Sequence, residues 1–70
     1  MIADAKTLRE RTIQNQIEKV EQLITDASNS GYLEVVVRFP LTQETLNYFK
    51  DLNFKIKEHE IPNVYYLNWN

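Results

Sequence analysis

An α+β fold is what this 70-residue sequence predicts: a long N-terminal helix, then β-α-β-β, with a three-stranded antiparallel sheet carrying both helices on one face. Three observations carry the expectation. The first third of the chain lacks Gly and Pro and keeps apolar residues at helical spacing. Three later segments alternate apolar and polar residues with period two. Between the first two of these, a Thr leads a short amphipathic stretch with the chemistry of a helix start.

The first helix runs from Ala3 to about Ser28, with Ile13, Ile17, Val20, Leu23, Ile24 and Ala27 as its core-facing stripe. Asp4 suits its N-terminus, and Ser28-Asn29-Ser30-Gly31 ends it, Gly31 supplying the left-handed residue. Tyr32 to Phe39 follows as a strand, with Leu33, Val35 and Val37 inward and Glu34, Val36 and Arg38 outward, until Pro40 stops it. Thr42 is the N-cap of the second helix. Leu41 and Leu46 hold the positions of a hydrophobic staple, and Leu46, Phe49 and Leu52 form its buried side. Asn53 is its left-handed C-cap, with Phe54 folding back onto the helix.

Phe54 to Glu60 is the second strand, with Phe54 and Ile56 inward and Lys55, Lys57 and His59 outward. A turn at Ile61-Pro62-Asn63-Val64 leads into the third, Val64 to Trp69, with Tyr65, Leu67 and Trp69 on one side and Val64, Tyr66 and Asn68 on the other. Placed between the other two, the third strand pairs antiparallel with both. A right-handed crossover is the expected path of the intervening helix.

The chain reads as one domain, residues 1–70, without linkers or repeats. A helix of about 26 residues is roughly 39 Å long, against a diameter of about 28 Å for a compact domain of this size. Residues 1–12 are therefore expected to overhang as a helical extension. The patch Ile2, Ala5 and Leu8, with Ile13 below it, is the expected interface of a homo-oligomer, since a core this small gains most from association.

Composition excludes more than it assigns. Cysteine is absent, which removes disulfides, thiolate metal sites and cysteine nucleophiles. The net charge of −2 is evenly spread, four cations against five anions in Met1–Gly31 and again in Tyr32–Asn70, a poor match to a duplex-DNA binder. Apolar runs as short as Val35-Val36-Val37 span no bilayer, no signal-peptide stretch occurs near Asp4 to Arg11, and a cytosolic location is the default. The single His, His59, lies among acidic residues beside a turn. Glu58 and Glu60 read as a charged turn rather than an acid–base pair. With one Gly, no phosphate-cradling loop exists, so neither an enzyme nor a cofactor or metal is expected.

What remains is a locally basic sheet face. Arg38, Lys55, Lys57 and Tyr66 point outward with Glu34 as counter-charge, and Arg9 and Arg11 offer a second cationic point on the first helix. Cations beside an exposed Tyr suit an anion, phosphate taking the charge and the ring stacking on a base or sugar. Exposed lysines also serve edge protection and solubility, a use that requires no ligand.

In its long polar helix ending in Gly31, the Thr42-capped helix closing on Leu52-Asn53-Phe54-Lys55-Ile56-Lys57, and the final Tyr65-Tyr66-Leu67-Asn68-Trp69, the chain resembles short α/β accessory proteins encoded by tailed bacteriophages. It departs from them in having Asn53 where Gly is frequent. The resemblance implies a non-catalytic oligomer in the host cytosol that sequesters a defence molecule such as an anionic nucleotide signal. The alternatives are an inhibitor or adaptor docking on a host protein through its first helix, and a minor virion or assembly component.

Overall fold

The computed structural model describes residues 4–70, so the expectations for Ile2 and Ala3 lie outside the described residues. The element order is α1 (Ala5–Asn29), β1 (Glu34–Val37), α2 (Gln43–Asp51), β2 (Lys55–Glu58) and β3 (Tyr65–Asn68). The sheet order is β1-β3-β2, antiparallel at both junctions, so β1 and β2 run parallel and α2 crosses between them. Each strand is shorter at both ends than its alternating segment.

The helix ends follow local chemistry. The Asp4 carboxylate accepts from the Thr7 N–H at 2.8 Å and caps α1. At the other end, the Tyr32 N–H donates to the Ala27 carbonyl (2.9 Å) and the Gly31 N–H to that of Ser28 (3.0 Å), a Schellman closure with Gly31 at φ 88°. The same motif ends α2. Asn53 takes φ 71°, its N–H reaches Lys50, the Phe54 N–H reaches Phe49, and the rings of Phe49 and Phe54 meet edge to face at 5.6 Å. Thr42 caps α2 by accepting from the Thr45 N–H, with Leu41 and Leu46 buried beside it as a staple.

Both helices lie on one face. Ile17 and Val20 of α1, Leu46 and Phe49 of α2, and Val37, Leu67 and Leu41 form one buried cluster, joined at its margin by Ile13, Ile24, Val35 and Ile56. Two expected core residues are not covered. Leu33 is 53 % exposed because α1 ends before the last row of the sheet, where Leu33 stands beside Trp69. Leu52 is 52 % exposed: each step of three residues along a helix turns the side chain about 60° off the buried line, and by Leu52 the helix is already ending.

The described residues measure 44 × 27 × 20 Å, with a radius of gyration of 13.1 Å, above the roughly 11 Å of a compact chain this long. The excess comes from α1, whose first turns extend past the buried cluster.

Two carboxyls at the helix starts link this architecture to pH. The backbone N–H of Thr7 holds the Asp4 carboxyl below its ordinary value. That of Glu44 is lowered first by its own backbone N–H and further by Arg9, with desolvation opposing. Both are depressed in the fold, so their contribution is complete above the unfolded-state values near pH 4 and is lost as the pH falls through the lower folded-state values. Melting temperature is expected to drop on acidification from about pH 5 to about pH 3, with a shallower drop in Asp4→Asn. An identical slope in that variant would contradict the assignment.

Candidate binding face

The sheet register builds the face opposite the helices. Glu34 pairs with Asn68 and Asn68 with Lys55; Val36 pairs with Tyr66 and Tyr66 with Lys57. Continuing the count places Arg38 and His59 on either side of Val64, and the bond from the His59 N–H to the Val64 carbonyl (3.0 Å) extends the ladder there. Three rows result: Glu34–Asn68–Lys55, Val36–Tyr66–Lys57 and Arg38–Val64–His59. Tyr66 is central, Lys57 stands beside it, and Lys55 and Arg38 lie in the flanking rows.

The aromatic end of this face is more enclosed than a solvated turn. His59 is half-buried, its ring centroid 5.5 Å from that of Tyr66 at an interplanar angle of 60°. Its Nδ1 accepts from the Ile61 N–H at 3.0 Å, which leaves the proton of the neutral ring on Nε2. Tyr66 is half-buried as well. Lys57, Glu58, His59, Glu60 and Tyr66 line a shallow depression of about 440 Å³. By register Glu58 lies opposite Tyr65, on the helix-side face of the edge strand, so its carboxylate belongs to the rim. Asn68 Oδ1, in the row between Glu34 and Lys55, is buried and has no hydrogen-bond partner among the described residues. Buried acceptors are ordinarily paired, and this one is enclosed by its neighbours rather than open to a donor from outside the chain.

Arg38, Lys55, Lys57 and Tyr66 are thus brought to one surface, whereas Arg9 and Arg11 are not. Arg9 lies in the helix layer and forms an ion pair with Glu44 of α2, and Arg11 is exposed on α1. Of the residues assigned to the first-helix interface, Ala5 and Leu8 are exposed, Leu8 to 43 %, but Ile13 packs against the buried cluster and is not a free contact.

One polar constellation has no motif in the sequence. Gln16 Oε1 accepts from the Thr42 N–H (3.0 Å), the Thr42 hydroxyl (3.2 Å) and the Thr45 hydroxyl (2.8 Å), tying α1 to the start of α2. Thr45 is fully buried. Beside Gln16, Lys19 Nζ lies 5.9 Å from the Phe39 ring centroid, and Thr12, Asn15 and Pro40 complete a groove of about 330 Å³. Gln16 sits on the flank of the Ile13–Ile17 stripe; that position is the only hint in the sequence.

Among the described residues no cluster of three His, Cys, Asp or Glu could hold a metal ion, and no helix is long and apolar enough to cross a membrane. Compared with models of protein families, with curated proteins and with solved structures, the chain finds no match.

Proposed function

We propose that this protein is a non-catalytic binding module that takes an anionic nucleotide on the open face of its sheet, as a phage-type accessory protein sequestering a host signal would. The supporting observation is the register: it gathers three of the eight Lys and Arg residues around one half-buried Tyr, against the single acid Glu34 in those rows. Lys57 and Lys55 receive phosphate as charged donors, and the Tyr66 ring offers a face for a base. The rim carboxylates of Glu58 and Glu60 accept from the amino and sugar hydroxyl groups of a nucleotide.

Calorimetry with a panel of cyclic dinucleotides and ADP-ribose derivatives tests this. Binding of at least one member is expected. Lys55→Glu with Lys57→Glu weakens it by at least about a hundredfold, since each charge-assisted bond carries roughly 1.5–3 kcal/mol. Tyr66→Ala weakens it about five- to a hundredfold. No heat with any nucleotide, or heat untouched by these substitutions, would overturn the proposal.

A second reading, docking on a host protein through α1, draws on the projecting first turns and exposed Leu8. Capture of a stoichiometric protein that survives the double Lys substitution and is lost in Leu8→Asp favours it. Leu8 serves here because Ile13→Asp would disturb the core.

A further inference from the structure

The two outer strands differ in a way the binding face does not explain. Strand β2 reads Lys-Ile-Lys-Glu, a charged edge of the sort that discourages pairing with another chain. Strand β1 reads Glu-Val-Val-Val, without Lys, Pro or bulge, and the following Arg38 is its only cation. An exposed edge of this composition is a template for a further strand.

The ladder fixes which backbone groups are free. The Trp69 N–H donates to the Leu33 carbonyl at 3.1 Å, which makes Leu33 and Trp69 a hydrogen-bonded pair. By antiparallel alternation Val35 and Val37 also turn their N–H and C=O groups toward β3. The backbone groups of Glu34, Val36 and Arg38 therefore point away from the sheet, along the free edge.

We propose that this edge pairs with a second copy of the same chain, β1 against β1 about a two-fold axis through Val36, giving a continuous six-stranded sheet. In that register Val36 stands opposite the partner's Val36, and Glu34 opposite the partner's Arg38, twice by symmetry. These are the positions with outward backbone groups, so the new ladder forms without disturbing the old. On the helix side the same register sets Val35 opposite the partner's Val37, and the exposed Leu33 opposite the partner's Phe39. Opposed residues of unlike charge and opposed β-branched residues are the favourable cross-strand pairs. A slip of two residues puts Glu34 or Arg38, according to its direction, against Val36 and leaves the other charge unpaired, and a slip of four sets Glu34 against Glu34 or Arg38 against Arg38. One register is therefore singled out by the sequence of a single strand.

The interface uses neither the Ala5–Leu8 patch of α1 nor any ligand, and it joins the two open faces into one. Arg38 is then engaged by the partner's Glu34, leaving Lys55 and Lys57 as the cations facing a ligand.

Sedimentation of the whole chain across about 1–200 µM tests the pairing. A dimer is expected. Val36→Pro removes an outward N–H that β3 does not use and is expected to leave a folded monomer. Glu34→Arg weakens the dimer by about tenfold or more, and Glu34→Arg with Arg38→Glu restores it to within about threefold, because each charge then meets its opposite again. Because the chain has no cysteine, Val36→Cys under mild oxidation reports the axis directly. Hydrogen-bonded partners lie about 5.5 Å apart at Cα, within disulfide reach, so it cross-links, while Lys57→Cys on the other edge does not. A monomer at the highest concentration overturns the proposal. So does a dimer that ignores Val36→Pro and both charge changes. Loss of nucleotide binding in the Lys variants with the dimer intact separates this interface from the binding face.

Discussion

Phe49→Ala is expected to leave the protein substantially unfolded at 37 °C. Phe49 is 1 % exposed, sits in the last turn of α2, and touches Tyr48 (5.1 Å) and Phe54 (5.6 Å) edge to face, with Phe54 in turn against Trp69 (5.9 Å). Truncating a buried Phe costs about 3–5 kcal/mol. A domain of this length has roughly 3.5–10 kcal/mol in total, at about 0.05–0.15 kcal/mol per residue. The melting temperature should fall by about 15 °C or more. Tyr48→Ala, at a site 40 % exposed, should move it far less. A drop of only a few degrees in Phe49→Ala would mean that the aromatic chain from α2 to β3 does not hold the helix layer to the sheet.

Gln16→Ala carries the second large effect, for a different reason. It removes the acceptor of three donors, and Thr45 has no access to water. Stranding buried donors costs about 1–3 kcal/mol, and the Thr42–Thr45 hydroxyl contact of 3.0 Å recovers part of that. Thr45→Val removes one of the donors at nearly constant shape. Because the two side chains share one bond, the double variant should be less destabilised than the sum of the singles, a coupling that a double-mutant cycle of thermal or urea melts reads directly. Strict additivity would show that Gln16 and Thr45 act separately.

The fold was legible wherever the determinant is local. Thr42 with Leu41 and Leu46, Asn53 with Phe54, and Gly31 all act within six residues, and the structure shows each in its expected role. The three rows of the open face follow from period-two alternation once β3 is central. Burial at the sheet and helix ends was not legible, because Leu33 and Leu52 obey their patterns but lie past the cover that other elements provide. The Gln16 hub was hidden for a related reason: its partners are 26 and 29 residues away, and a Gln on a helix flank looks like any solvated side chain. Likewise Arg9 carried no mark of the Glu44 carboxylate that occupies it, whereas Ile13 follows its core-facing stripe and not the interface patch to which it was also assigned.

The binding face is the central claim, and amide chemical-shift mapping tests it most directly. Titrating the labelled protein with a nucleotide that gives heat should move Lys55, Lys57, His59, Tyr66 and Asn68 in a saturable way, with Arg9, Arg11 and Leu8 unmoved. Shifts confined to α1, or a nucleotide panel that moves no resonance on the sheet, would contradict it.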